Sequence, residues 1–415
     1  MATTATTGQS TRANGHVGWL IGLVALSILL NYIDRGIIGI AAPLMKGELG
    51  LSATGFGLAV SAFFWMYAPA NLLIGWLSDR FCVYRVFAAG VAVWALATFL
   101  TGFIGGIASL IALRLMLGLG EAIAFPGSSK IFAAEVPSRH RGVANAAVGA
   151  ALSFGPAVGT LAGGTILALH GWRPIFWAFG AVTILWLIPW TAVSKPFRGV
   201  TVRSAVVAPV ALSRLVRMPA LWAMSAAHFM SNYGFYFLLA WLPLYLIDSR
   251  HYPLAEMTGM ATAGLVAQGI AALAVGKLSD LMVARGADEG RLRRWSMAVG
   301  QLLAGAAVAG IYLAETPGMV LFWLVTTGIA SGVVAVNLFA VGQMFGGPRA
   351  SGGWIGVQNA VGNTSGIVGP IVTGLIVDAS GNYGWAFAIA AGVAALGFVW
   401  WLFVIPPIRE IDATN

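Results

Sequence analysis

The chain has 415 residues, of which 59% are hydrophobic and only 9% charged. Soluble domains carry about 25% charged residues, and an apolar excess of this size cannot be buried in a soluble core, so most of it must face lipid. A net charge of +9 would suggest nucleic acid in a soluble chain; here its placement in loops accounts for it, and no nucleic-acid partner is expected.

Residues 1–16 are polar and Thr-rich and read as a disordered tail. The first apolar run opens at Val17 and continues too far for a cleaved signal. Long apolar stretches then recur, and the pattern predicts an all-α polytopic membrane protein with twelve spans. They are placed at 17–40, 53–78, 84–105, 107–131, 143–168, 172–194, 219–246, 258–283, 293–314, 318–345, 351–377 and 383–405. Pro43, Pro126, Pro156 and Pro370 are expected to kink or terminate these helices. Several tryptophans near segment ends (Trp19, Trp76, Trp172, Trp241) suit interfacial anchoring.

The stretch 195–218 is basic, without an acid, and divides the chain into two six-helix bundles at 17–194 and 219–405, with a tail at 406–415. Gly75-Trp-Leu-Ser-Asp79-Arg80 recurs as Gly276-Lys-Leu-Ser-Asp280-Leu281, each after the second span of its half. Trp172-Arg-Pro-Ile-Phe176 is echoed by Tyr383-Gly-Trp-Ala-Phe387. Such duplication suits transporters that rock one half against the other. Among the basic residues, only Arg35, Lys46, Arg114, Arg173 and Arg250 fall outside the segments on the side of both termini. The positive-inside rule therefore expects both termini in the cytoplasm.

Four charges lie inside apolar runs. Arg114 and Glu121 are two helical turns apart, on one face and about 10 Å apart along the axis, with Gly118 and Gly120 between them to admit a neighbouring helix or a ligand. Asp34 and Arg35 are adjacent, so their side chains diverge by about 100° and each must reach a different neighbour. A charge at membrane depth is costly without a partner or a wet cavity. One reading is inert: Asp34 and Arg114 pair to hold two helices together. The functional reading gives Arg35 and Arg114 an anionic substrate, since guanidinium stays charged and offers a planar fork, and gives Asp34 and Glu121 the protons. Burial penalises an ionised carboxylate and a nearby arginine favours it, so the two effects oppose each other at both sites. All four groups are expected to meet in one water-accessible chamber. Asp79, Arg80 and Arg85, at a helix end, read as a gating latch, and Lys46 and Glu48 as solvated.

The Gly-x-Leu-Ser-Asp-Arg loop resembles that of the major facilitator superfamily, although Phe81-Cys82-Val83-Tyr84-Arg85 replaces the usual glycine and basic cluster after it. Within that superfamily the chain resembles the anion:cation symporter family, which includes bacterial galactonate and glucuronate transporters and animal vesicular carriers. The resemblance rests on Asn31-Tyr-Ile-Asp34-Arg35, Trp65-x-Tyr67, Arg114-x3-Gly118-x-Gly120-Glu121-Ala122-x3-Pro126 and Gly171-Trp-Arg173 in the first half. In the second half it rests on Trp241-Leu-Pro-x-Tyr245-Leu and Gly362-Asn363-x2-Gly366-Ile-Val-x-Pro370. It implies import of a small organic anion with protons, across a bacterial inner membrane, by a chain able to work as a monomer. It also carries over Tyr67 and Asn363 as cavity residues.

Asn359, one turn from Asn363, and Tyr233 and Tyr236 in the seventh span are further candidates for substrate contact. Interhelical hydrogen bonding is the competing role for each, and for Gln268, Asn337 and Gln358; His228 reads as a helix-packing or path-lining histidine. The family's sugar-acid carriers place a polar residue where Leu152 stands, so the substrate here is expected to be less hydroxylated than an aldonate, unless Ser153 or Thr160 compensates. Gly155-Pro156-Ala-Val-Gly159 partly resembles a motif of drug/proton antiporters, which keeps a proton-coupled exporter as the alternative. The lone Cys82 excludes an intramolecular disulfide, and the five histidines show no metal-ligand spacing. With no nucleophile–base pair and no phosphate loop ending in Lys-Ser/Thr, neither an enzyme nor a cofactor is expected.

Overall fold

The computed structural model describes residues 5–195 and 210–410. The first half comprises α1 (Ala5–Glu48), α2 (Ala53–Arg80), α3 (Val83–Thr101), α4 (Ile107–Glu121), α5 (Ala124–Glu135), α6 (Ser138–His170) and α7 (Arg173–Val193). The second comprises the short α8 (Leu212–Leu215), then α9 (Pro219–Leu244), α10 (Leu254–Ala284), α11 (Glu289–Leu313), α12 (Pro317–Asn363), α13 (Ser365–Ser380) and α14 (Gly384–Phe403). Eleven stretches among the described residues are long and apolar enough to cross a membrane; α2, 28 residues long, supplies the twelfth pass. With no water in a bilayer core to satisfy the backbone, helices meet this requirement internally.

Two passes are assembled from broken helices. α4 and α5 form one span, Ile107–Phe132, interrupted at Ala122 and Ile123. Pro126 lacks an N–H and its ring crowds the carbonyl four residues back, that of Ala122, so the helix parts one residue after Glu121. α12 is broken at Gly347, whose φ of 57° stands outside the helical region, so its two pieces belong to the spans Pro317–Gly347 and Ala350–Ser380.

Of the two outcomes expected of a proline, a kink or an end, the other three do not end their helices. Pro43, Pro156 and Pro370 lie inside α1, α6 and α13, because packed membrane helices re-satisfy the single carbonyl a proline frees. α1 consequently runs to Glu48 rather than ending near residue 40. At its other end α1 is helical from Ala5, where a disordered tail was expected; no proline interrupts residues 5–16, and extending an existing helix costs far less than starting one. Most of the basic linker, 196–209, lies outside the described residues.

The two ends of the bundle differ. At the end away from the termini, one apolar cluster runs through both halves, joining Phe56, Phe63 and Phe64 to Phe237, Trp241 and Tyr245. At the end bearing the termini, the second half keeps a separate cluster around Met224, Met297, Trp354 and Trp401. The halves are therefore packed together at the far end.

Candidate functional site

Arg35 and Glu121 form an ion pair across α1 and α4, Nε donating to Oε2 at 3.0 Å, with side chains 6% and 0% exposed. The guanidinium carbon lies 4.9, 5.0 and 4.7 Å from the ring centres of Tyr32, Phe63 and Tyr67. Negative ring faces compensate a cation removed from water, so the pair is held inside an aromatic cage.

Asp34, one residue earlier, turns to α3, where the Thr98 hydroxyl donates to its Oδ2 at 3.1 Å. Adjacent positions on one helix thus reach different neighbours, as the 100° step requires. The intrahelical glycines of α4 serve those neighbours rather than a ligand. A methyl on Gly118 would strike the Phe63 carbonyl of α2, and one on Gly120 would lie 2.5 Å from the Trp94 nitrogen of α3.

Arg35, Arg114, Phe63 and Phe64 line a cavity from the first half, and Tyr236 and Pro370 close it from the second. The two arginines border it, whereas Asp34 and Glu121, 2% and 0% exposed, lie behind its wall. The single shared chamber expected for all four groups is thus a cavity for the cations with the carboxylates packed against it. Six polar atoms of this group have no hydrogen-bond partner among the described residues despite their burial: Asp34 Oδ1, Arg35 Nη2, Arg114 Nε, Glu121 Oε1 and both amide atoms of Asn31. Buried polar groups are normally paired, so such a cluster marks a place built for something other than static packing.

From the second half, the Tyr236 hydroxyl donates to Asn363 Oδ1 at 2.6 Å, and Asn363 Nδ2 donates to Asn359 Oδ1 at 3.0 Å. Tyr236 also meets Phe64 edge-on, ring centres 4.7 Å apart, which carries the asparagine chain to the cavity rim. Tyr67 stacks on Phe63 at 5.1 Å. Tyr233, by contrast, packs on Gly369 and Phe229 and does not line the cavity. His228 is buried against Phe339 and Gln358, a packing environment, and Asn337 accepts from Arg293 near the termini end. Leu152 joins an apolar cluster with Ile28 and Ala151.

Arg80 and Arg85 are exposed at the junction of α2 and α3; the Asp79 side chain lies outside those described. Glu48 departs from expectation. It accepts from Trp172 Nε1 at 2.6 Å and from Arg173 Nη2 at 2.8 Å, and Arg173 also donates to the Gly102 and Ile104 carbonyls. A carboxylate at a helix end with a guanidinium in reach is clamped rather than merely solvated.

A roomier cavity on another face of α1 carries Thr160, Gln268, Thr327 and Ser331 among aliphatic side chains. It has no charged lining, so nothing in it compensates the desolvation of an anion. Among the described residues no group of His, Cys, Asp and Glu could hold a metal ion.

A sequence profile of the Major Facilitator Superfamily matches residues 24–287 and 260–414. The chain belongs to that superfamily. As a superfamily member it is a transporter and not an enzyme. It is 29% identical to a probable sulfoacetate transporter of Cupriavidus necator, covering 95% of each chain. It is 26% identical to a probable galactarate/D-glucarate transporter of Escherichia coli, covering 95% of this chain and 94% of the other. These relatives are anion transporters, in keeping with the anion:cation symporter resemblance. Its fold matches a solved bacterial homologue of the human lysosomal transporter Spinster with a TM-score of 0.75 at 18% identity, covering 95% of both chains.

Sequence reasoning missed Asn31, Thr98, Phe63 and Phe64. Asn31 stands in the quoted motif one turn before Arg35, and that spacing alone could have marked it. Thr98 carried no signal, because a lone threonine in a membrane helix commonly bonds its own backbone.

Proposed function

We propose that the protein is a proton-coupled symporter that imports a small organic anion by alternating access, with Arg35 and Arg114 as the anion contacts and Asp34 and Glu121 as the proton carriers. The observation that supports it is the buried cluster of two guanidinium groups and two carboxylates with unspent hydrogen-bonding capacity beside a cavity that both halves line. Deprotonated and empty, the carboxylates offset the arginines. Protonated, they leave positive charge that an incoming anion neutralises, and the loaded site is then nearly neutral when the halves rock past it. Tyr67, Tyr236, Asn363 and Asn359 shape the remaining wall, with Tyr233 supporting it from behind, and Asp79, Arg80 and Arg85 act as a gate away from the substrate.

The substrate class is a sugar acid, hydroxy acid or aromatic carboxylate. The aromatic and aliphatic walls favour a short anion with few hydroxyls. The charge pattern of the loops orients both termini to the cytoplasm of a bacterial inner membrane, and the chain acts as a monomer.

Purified protein in vesicles tests the reading with a panel of sulfonated, hydroxylated and aromatic acids under an imposed pH gradient. Wild type accumulates at least one of them uphill. Glu121→Gln, which keeps the shape and loses the proton site, abolishes that accumulation by an order of magnitude or more (~10-fold for each 1.36 kcal/mol of lost coupling) while retaining counterflow. Normal pH-driven accumulation by Glu121→Gln would refute the proton assignment.

A further inference from the structure

Four N–H groups open every helix without an intrahelical acceptor, and at α2 their partners come from both halves of the molecule. Ser52 takes one of them locally, its side chain accepting from Gly55 at 3.0 Å, while its carbonyl accepts the first intrahelical bond, from Phe56. Two more go to Asp378 near the end of α13: Ala53 N–H donates to Oδ1 at 3.0 Å and Thr54 N–H to Oδ2 at 2.8 Å. Each carboxylate oxygen has its own donor, and the negative charge sits on the positive end of the helix.

The seam below this contact is built for close approach. Gly374, one turn before Asp378, lies so near α2 that a methyl there would stand 2.6 Å from the Ala53 carbonyl oxygen and 2.8 Å from the Thr54 Cα. One turn further in, Gly57 rests on the Pro370 carbonyl in the same way. Pro370, Gly374 and Asp378 follow the i, i+4 spacing of one helix face, so the carboxylate terminates a strip of small-residue contacts that ends at the cavity.

We propose that Asp378 is the latch of the far end, capping α2 across the two halves when that side is shut and releasing it when the halves part. The inference rests on the alternating-access reading above. Opening exchanges two charge-assisted hydrogen bonds for water on both partners, so the contact is firm yet reversible. A carboxylate serving only the fold of its own half would bond within that half.

Exposure of the seam to the outside is the readout, and it needs no knowledge of the substrate. In a Cys82→Ser background, which removes the lone thiol, Val60→Cys places a reporter beside the cavity. A membrane-impermeant maleimide is then applied to the outer face of cells. Asp378→Ala raises the labelling rate about tenfold and Asp378→Asn, which keeps one acceptor oxygen, about threefold, as expected for losing part of a bonded charge. Gly374→Ala, which wedges the seam and leaves the carboxylate in place, raises it as well. Parental labelling in both Asp378 variants overturns the latch, and so does a rise confined to Gly374→Ala, which would mean that packing alone closes the seam. Should Asp378→Ala fail to reach the membrane, the near-isosteric Asp378→Asn decides. None of these outcomes bears on the behaviour of Glu121→Gln, so the latch and the proton assignment fail separately.

Discussion

Arg35 of the first half, paired to Glu121, and Tyr236 of the second, bonded to Asn363 and through it to Asn359, line one cavity from its two sides, and they are held by different physics. In the first half full charges are sealed among Tyr32, Phe63 and Tyr67, with several of their polar atoms unpartnered. In the second half neutral groups donate to one another, and both the Tyr236 hydroxyl and the Asn363 amide are bonded. A buried charge is costly when its partner is lost, whereas a neutral hydrogen bond contributes about 1 kcal/mol net. Under the proposed mechanism the first half is the part whose energy would respond to protons and anions, and the second would be a fixed neutral wall. Substitutions should show the asymmetry directly.

The largest effect belongs to Arg35→Ala. It strands the Glu121 carboxylate, which has 0% exposure, and breaking a buried pair from one side costs about 3–5 kcal/mol. A fall in melting temperature in detergent and loss of anion uptake are both expected. Adding Glu121→Gln should recover much of the stability without uptake, since no unpaired charge is left. If Arg35→Ala keeps wild-type melting and uptake, the charged wall does not carry the energetics assigned to it.

The spans were legible in the sequence because a bilayer leaves a helix few alternatives, and eleven of the twelve expected stretches recur with shifted ends. Arg35, Arg114, Asp34 and Glu121 were legible for the same reason: charge in an apolar run needs a cause. What stayed hidden is partnership. Glu48 reads as solvated until Arg173 is brought to it from 125 positions away, and Asp378 meets α2 across 325 and 324 positions. Phe63 and Phe64 could not be told from packing residues, because an aromatic that cages a cation and one that fills a core have the same sequence signature. Tyr233 and Tyr236 share a spacing of three, yet only Tyr236 reaches the cavity; a helix face wide enough to bury both does not say which one borders open space.

Thr98→Val sharpens the comparison within the charged half. It is nearly isosteric and removes the hydrogen bond that Thr98 donates to Asp34 Oδ2 at 3.1 Å. Hydrogen bonds to charged groups contribute about 1.5–3 kcal/mol. The variant should melt lower than wild type, and lower than expected for a neutral core threonine. In the Asp34→Asn background the same substitution should cost less, because the group left behind carries no charge. Equal costs in the two backgrounds would mean that the Thr98 contact is incidental.

Tyr236→Phe is the smallest change and the most diagnostic of the neutral wall. The ring keeps its edge contact with Phe64, and only the hydroxyl that donates to Asn363 Oδ1 is lost. That oxygen is left without its donor, which lowers stability by about 1 kcal/mol, and with the cavity wall loosened the apparent affinity for whichever acid the transport panel identifies should fall only modestly. Because no charge is altered, the dependence of uptake on the pH gradient should keep its wild-type shape. A change in that shape would place Tyr236 in the proton pathway and erase the distinction between the two walls: the second half would then take part in the charge balance instead of only bounding the space in which it occurs.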